Sequence, residues 1–266
     1  MKVIVSHDVD HLTVWEHRRD LILPKFVVRS GMECLLGRIP VSEYGRRLRG
    51  MARNQWQNLD ELMAFNRERR IPSTFFVGVS NGKGLAYSVE DAAYWIRRII
   101  DGGFDCGVHG INFDSPEAIR EEHRKFRSLS GLDSFGIRMH YLRTGPDTLS
   151  HLEKAGYCFD ASVYAPRDPY RVGELVEFPL HIMDDYLIYG GGRLQRASFG
   201  EIVEDTRKII DEAERKGLKF LTLLFHDRYY NEAFQSWKNW YIWIIDYLKG
   251  KDAEFVGFRE IAETIK

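Results

Sequence analysis

The chain has 266 residues, 44% of them hydrophobic and 29% charged, so it can bury a core and is not a disordered segment. A formal net charge of −1 argues against a dedicated nucleic-acid binder. Three scattered cysteines, Cys34, Cys106 and Cys158, supply neither a disulfide framework nor a zinc knuckle.

Met1-Lys2-Val3-Ile4-Val5 runs straight into charged residues and is too short for the apolar heart of a secretion signal. Nothing approaches the roughly 18 apolar residues that span a bilayer, so a cytoplasmic protein with reduced thiols is expected. The first strand is read over Lys2–Val9 and ends in Ser6-His7-Asp8-Val9-Asp10-His11. Strand alternation puts Asp8 and Asp10 on one face. Adjacent carboxylates are costly without a cation or proton between them; a metal ligand beside a general base is one use, and a polar loop of helix-capping aspartates is the other.

Residues 11–54 interrupt the strand–helix rhythm. They hold nine Lys/Arg against four Asp/Glu, a local net of +5 that leaves −6 for the rest. Their apolar residues cluster as Leu21-Ile22-Leu23, Phe26-Val27-Val28 and Leu35-Leu36. This reads as an inserted helical hairpin packed on the body of the protein, or as a basic amphipathic lip that holds an anionic or lipid-linked substrate near a membrane surface.

Beyond it, Trp56, Leu59, Leu62 and Met63 form a helical stripe, and Ser73–Val79 is the second strand. Ser88 with Asp91 reads as a capping box. The third strand, Asp105–Gly110, presents His109 at its rim, followed by Phe113, Asp114 and a Ser115-Pro116 helix start. The fourth, Gly136–Leu142, places Arg138 and His140 on a shared face; a buried arginine needs a carboxylate, and Asp8 or Asp160 could serve. Gly145-Pro146 marks a helix start. Cys158–Val163 and Val176–Ile182 are strands five and six, with His181 and Asp184 at the end of the latter. Ser198 with Glu201 caps a helix striped by Ile202, Thr206, Ile209, Ile210 and Ala213. The seventh strand, Phe220–Phe225, delivers His226 to its rim. Trp237, Trp240, Tyr241 and Ile244 follow at helical spacing and read as core, whereas Tyr229 and Tyr230 could line a groove.

About seven β/α alternations in one chain point to an α/β barrel or a doubly wound sheet, where reactive groups collect at the carboxyl ends of the strands. The rims then offer, in order, an acidic pair, a histidine, an arginine with a tyrosine, and a second histidine.

In that order the chain resembles the polysaccharide deacetylase (NodB-homology, carbohydrate esterase family 4) superfamily. His7-Asp8-Val9-Asp10 resembles its first motif, Ser73-Thr74-Phe75-Phe76-Val77 its second strand, and His109-Gly110 the start of its metal motif. Arg138-Met139-His140-Tyr141 resembles the R-x-x-Y element, Phe159-Asp160-Ala161-Ser162 the fourth motif, and Leu224-Phe225-His226 the L-x-H motif. The resemblance implies a distorted seven-stranded (β/α) barrel across residues 1–266, with 11–54 as a helical insertion. It implies that Asp10 and His109 bind a divalent metal, zinc above all, and that Asp8 is the base for the attacking water. It further implies that His226 protonates the leaving amine, that the Tyr141 backbone N–H stabilises the oxyanion, that Arg138 orients Asp8, and that Asp160 joins the supporting ion pairs. The family's second metal histidine falls at Phe113, which cannot ligate; Asp114, one residue on, is the expected third ligand, with His140 as the other candidate.

The expected activity is hydrolysis of an N-acyl group, acetyl first, from a sugar carried on a nucleotide- or lipid-linked precursor. Metal-independent hydrolysis of a cyclic amide and silent carbohydrate binding are the competing readings, both prompted by Phe113.

Overall fold

The computed structural model describes residues 1–265 apart from Ala197. In chain order the strands are β1 (Lys2–Val9), β2 (Ser73–Val77), β3 (Asp105–Gly110), β4 (Ile137–Met139), β5 (Phe159–Asp160), β6 (Tyr170–Val172), β7 (Leu175–Glu177), β8 (Ile182–Met183), β9 (Phe220–Leu224) and β10 (Glu254–Phe255). The α-helices are α1 (Ile22–Leu35), α2 (Val41–Ala52), α3 (Leu59–Glu68), α4 (Val89–Asp101), α5 (Pro116–Ser130), α6 (Thr148–Ala155), α7 (Asp184–Tyr189), α8 (Phe199–Arg215), α9 (Gln235–Gly250) and α10 (Phe258–Ala262).

The ladder runs β6-β7-β5-β4-β3-β2-β1-β9-β8, with β10 added beside β1. Every described pairing is parallel except that of β6 with β7. The sheet curls back towards itself through the segment 175–183. That segment lies along β5 through β7 and a bridge from Tyr164 to Leu180, then along β9 through β8. The expected sixth strand is therefore present in two pieces. Pro179 explains the break, because it has no N–H for the ladder; the Leu180 N–H instead reaches Val163 O at 2.7 Å and the His181 N–H reaches Thr222 O at 3.2 Å. With β6 and β10 as additions, the architecture is the expected (β/α) barrel with more strands than the seven anticipated.

Parallel strands covered on both faces bury both sets of side chains, and seven of the eight residues of β1 are buried. Aliphatic and aromatic residues from all sides fill the surrounding layer, including Leu59, Leu62, Ile96, Ile202, Ile210, Trp237, Trp240 and Tyr241. The aromatics of α9 are thus core, as their spacing suggests. Ser88, Ser115 and Ser198 cap α4, α5 and α8 by accepting backbone N–H bonds. The Gly145-Pro146 signal is off by two residues: α6 starts at Thr148, whose hydroxyl accepts from the Gly145 N–H.

Residues 11–54 form a short 3₁₀ turn and the helices α1 and α2, which touch one another. Buried charge holds them to the barrel. Arg47 bonds Glu33 at 2.6 Å, Glu43 at 2.8 Å, Gln195 at 2.9 Å and the Ala233 carbonyl at 2.8 Å. Removing one member of such a buried set strands the others, so this cluster fixes the insertion in place.

Candidate active site

The carboxyl ends of β1, β3, β4 and β9 meet at one mouth. Asp8 and Asp10 come from β1 and the residue after it, His109 from β3, Arg138 and His140 from the end of β4, and His226 from just past β9.

Asp8 is buried and accepts from Arg138 Nη1 at 3.1 Å, while its other oxygen lies 3.8 Å from His109 Nδ1. Arg138 is wholly buried. It also donates to Ser6 Oγ at 2.8 Å and to the Ala161 carbonyl at 2.9 Å, and its guanidinium covers the Phe76 ring. These bonds leave Asp8 with one oxygen held and one free to face the mouth.

Asp10 Oδ1, His109 Nε2 and His140 Nδ1 converge. The separations are 3.2 Å from Asp10 to His109, 3.3 Å from Asp10 to His140, and 2.9 Å between the imidazoles. Asp10 Oδ1 is buried yet makes no hydrogen bond, although two ring nitrogens stand this close. Burial alone would raise the Asp10 pKa, but the two histidines hold it well below the usual carboxylate range. His140 Nε2 donates to the Lys83 carbonyl at 3.3 Å, which leaves Nδ1 as the lone-pair nitrogen facing the cluster. Zinc bonds of about 2.0–2.1 Å put neighbouring ligand atoms of a tetrahedron about 3.3 Å apart. One carboxylate and two imidazoles at these spacings fit a divalent metal.

Asp114 is not part of this cluster. Ser115 caps α5 and Asp114 lies exposed ahead of it, and His140, the other candidate for third ligand, stands in the cluster. What brings His140 inward is the end of β4. The strand stops at Met139 rather than running on to Leu142, because Tyr141 and Leu142 adopt left-handed φ values of 60° and 52°. Each non-glycine residue there costs about 1–3 kcal/mol. Arg143 holds the turn by donating to the His140 carbonyl at 3.1 Å and to the Ile111 carbonyl at 2.7 Å.

His226 faces the cluster with Nε2 3.7 Å from Asp10 Oδ2. Its Nδ1 donates to Asp184 Oδ1 at 2.7 Å, and its backbone N–H donates to Asp184 Oδ2 at 2.8 Å. Burial would lower the pKa of His226, but the carboxylates of Asp184, Asp185 and Asp10 hold it well above the usual histidine value. Asp184, at the end of strand six, is thus a positioning group. The sequence places it at the end of strand six and does not name its partner. Burial and the neighbouring Asp184 and Asp10 charges push Asp185 up to about 7, against the pull of His226. Asp227, pushed up to about 8 by burial, accepts the Asn58 backbone N–H.

Asp160 does not join the Arg138 ion pair. It lies directly across the β5–β7 ladder from Glu177 and accepts from the Ser162 hydroxyl at 2.6 Å. Burial and the Asp160 charge push Glu177 well above the usual range, and burial raises Asp160 as well. Pairing across strands depends on register, which the linear sequence does not display.

No protein-family model matches this sequence, and no curated protein matches it. Solved structures do. A protein assigned as a polysaccharide deacetylase from Mycobacterium smegmatis superposes with a TM-score of 0.67 at 17% identity, over 99% of this chain and 89% of the other. The Puue allantoinase superposes with a TM-score of 0.65 at 17% identity, over 98% of this chain and 89% of its own. A protein assigned as a polysaccharide deacetylase from Pseudomonas aeruginosa PAO1 gives 0.64 at 16% identity, over 98% of this chain and 89% of that one. The chain therefore has the fold of the polysaccharide deacetylase superfamily.

Proposed function

We propose that this protein, built on the polysaccharide deacetylase fold, is a divalent-metal-dependent hydrolase that removes the N-acetyl group of a precursor sugar. The convergence of Asp10, His109 and His140 beside Asp8 carries this reading. When bound, a zinc-class ion supplies Lewis acidity and makes hydroxide available near neutral pH. Asp8, fixed by Arg138, takes the proton of the attacking water. Water oxygen adds to the acetyl carbon, the carbon–nitrogen bond breaks, and His226 gives its proton to the departing amine, because an amide anion leaves poorly. Asp184 keeps the His226 ring aimed at the mouth. The Tyr141 backbone N–H, set by its left-handed turn, stabilises the oxyanion; one such donor is worth about 3 kcal/mol.

Acetate release from a panel of N-acetylated sugars and sugar precursors, with zinc, cobalt or manganese supplied, tests this. Turnover is expected, together with loss of bound metal in His140→Ala and unchanged metal in Asp114→Ala. No release from any substrate would overturn the reading in favour of silent binding. Metal-free hydrolysis of a cyclic ureide, as the likeness to an allantoinase invites, would replace it with the metal-independent chemistry.

The substrate side of the proposal rests on residues 11–54. Trp15, Leu21, Val28, Met32, Leu35, Leu36 and Val41 are all exposed there, Leu35 by 88%. Val14, Trp15, Leu23, Pro24 and Val27 line an apolar hollow of about 600 Å³. Arg18, Arg19, Lys25, Arg29, Arg49 and Arg53 are exposed, whereas Glu33 and Glu43 are buried against Arg47, which leaves Asp20 as the exposed acid. A basic, apolar surface of this kind suits an anionic lipid surface, and a lipid-linked sugar is the matching substrate. No helix among the described residues is long and apolar enough to cross a membrane. Co-sedimentation with phosphatidylglycerol-containing vesicles, weakened by salt and by Val28→Glu with Leu35→Glu, is expected. Failure to bind them would exclude this occupant, and a dimer broken by the same changes would show that a second copy covers the face.

A further inference from the structure

We infer that His11, Glu16 and His17 form a second divalent-metal site, distinct from the Asp10, His109 and His140 cluster. His17 Nε2 stands 2.8 Å from His11 Nδ1 and 3.0 Å from Glu16 Oε1, and His11 Nδ1 is 3.4 Å from the same oxygen. These spacings match those of the first cluster, 2.9, 3.2 and 3.3 Å. Two imidazoles and a carboxylate are a zinc-class donor set.

The surrounding bonds present these atoms as ligands. His17 Nδ1 donates to Asp20 Oδ2 at 2.8 Å, and Asp20 Oδ1 in turn accepts the Ile22 backbone N–H at 2.8 Å. A carboxylate behind one ring nitrogen fixes the tautomer and leaves the other nitrogen as a lone pair, the pattern found around metal-bound histidine. Glu16 Oε2 accepts the Thr13 N–H at 3.0 Å, which holds the carboxylate with Oε1 towards the imidazoles. The His17 side chain is wholly buried and that of Glu16 is 3% exposed. Three acceptor atoms this close repel one another unless a cation or shared protons lie between them. Arg228 is the neighbouring positive group; its guanidinium lies 3.7 Å from the centre of the Trp56 ring, which in turn stands 6.3 Å from the His11 ring and 6.4 Å from the His17 ring.

The site is structural in kind. It would pin the loop that leaves β1 and leads into α1, starting at His11, the residue after Asp10, so it would tie the catalytic mouth to the basic hairpin. It does not depend on what reaction the mouth performs.

Metal content by mass spectrometry, on protein purified without chelator in zinc-containing buffer, tests it. About two zinc ions per chain are expected in the parent. One is expected in Glu16→Gln, whose amide oxygen can still accept the Thr13 N–H, and one in His140→Ala, with none in the double variant. Anomalous diffraction at the zinc edge on parent crystals should show separate peaks at the two clusters, which keeps the test open should a variant misfold. A single ion, lost in His140→Ala and kept in Glu16→Gln, would overturn the second site and leave a proton-sharing network in its place. Loss confined to Glu16→Gln would keep the second site and overturn the first.

Discussion

Asp8→Asn will lower turnover by about 10²- to 10⁴-fold, the usual contribution of a positioned general base, while bound metal and fold stay as in the parent. The substitution changes shape very little. An asparagine oxygen can still accept from Arg138 Nη1, which contacts Asp8 at 3.1 Å, so the buried guanidinium keeps its partner. What is lost is the oxygen that faces His109 Nδ1 at 3.8 Å and could take a proton. Asp8 contributes no atom to the Asp10, His109 and His140 cluster, so metal occupancy should not follow its charge. Asp10→Asn should differ, losing metal and turnover together. Steady-state kcat measured at matched metal occupancy separates the two. Turnover of Asp8→Asn within tenfold of the parent would remove Asp8 from the role of base.

The barrel was legible because parallel strands covered on both faces leave nearly unbroken apolar runs. β1 and β3 coincide with the expected Lys2–Val9 and Asp105–Gly110. Strand six was legible as one run, and the consequence of Pro179 for its pairing was not. At the mouth, the meeting of Asp8, Asp10, His109, Arg138 and His226 follows from one rule, that parallel strands deliver their carboxyl ends to one side. The third member of the Asp10 and His109 cluster does not follow from that rule. Chain proximity favoured Asp114, but the start of α5 leaves it exposed, while the left-handed turn at Tyr141 and Leu142 carries His140 inward. A turn that L-residues adopt only at a cost leaves little mark in composition. The partners of Asp160 and His226 stayed hidden for a related reason: Glu177 and Asp184 reach them across strands, through a register set by the whole sheet.

His7 sets the acid limit of the fold. It is fully buried beneath the mouth, where Nδ1 donates to the Phe225 carbonyl at 2.9 Å and Nε2 accepts from Asn66 Nδ2 at 2.9 Å. Both nitrogens are satisfied in the neutral ring, so a second proton would displace Asn66. Burial pulls its pKa down to about 3, against the opposing pull of the Phe225 carbonyl and Asp8. The unfolded chain binds this proton near pH 6.5, whereas the folded chain does not until about pH 3. The stability that His7 supplies is therefore complete above pH 6.5 and declines as pH falls towards 3, by about 1.4 kcal/mol per unit. Between pH 6.5 and 4.5 that loss amounts to about 3 kcal/mol. His7→Gln keeps one donor and one acceptor but cannot take up the proton. Urea unfolding at the two pH values should show the parent losing about 3 kcal/mol more than the variant, even though the variant starts less stable at neutral pH. Equal losses in the two proteins would mean that other groups govern acid unfolding and that His7 is protonated in the folded chain.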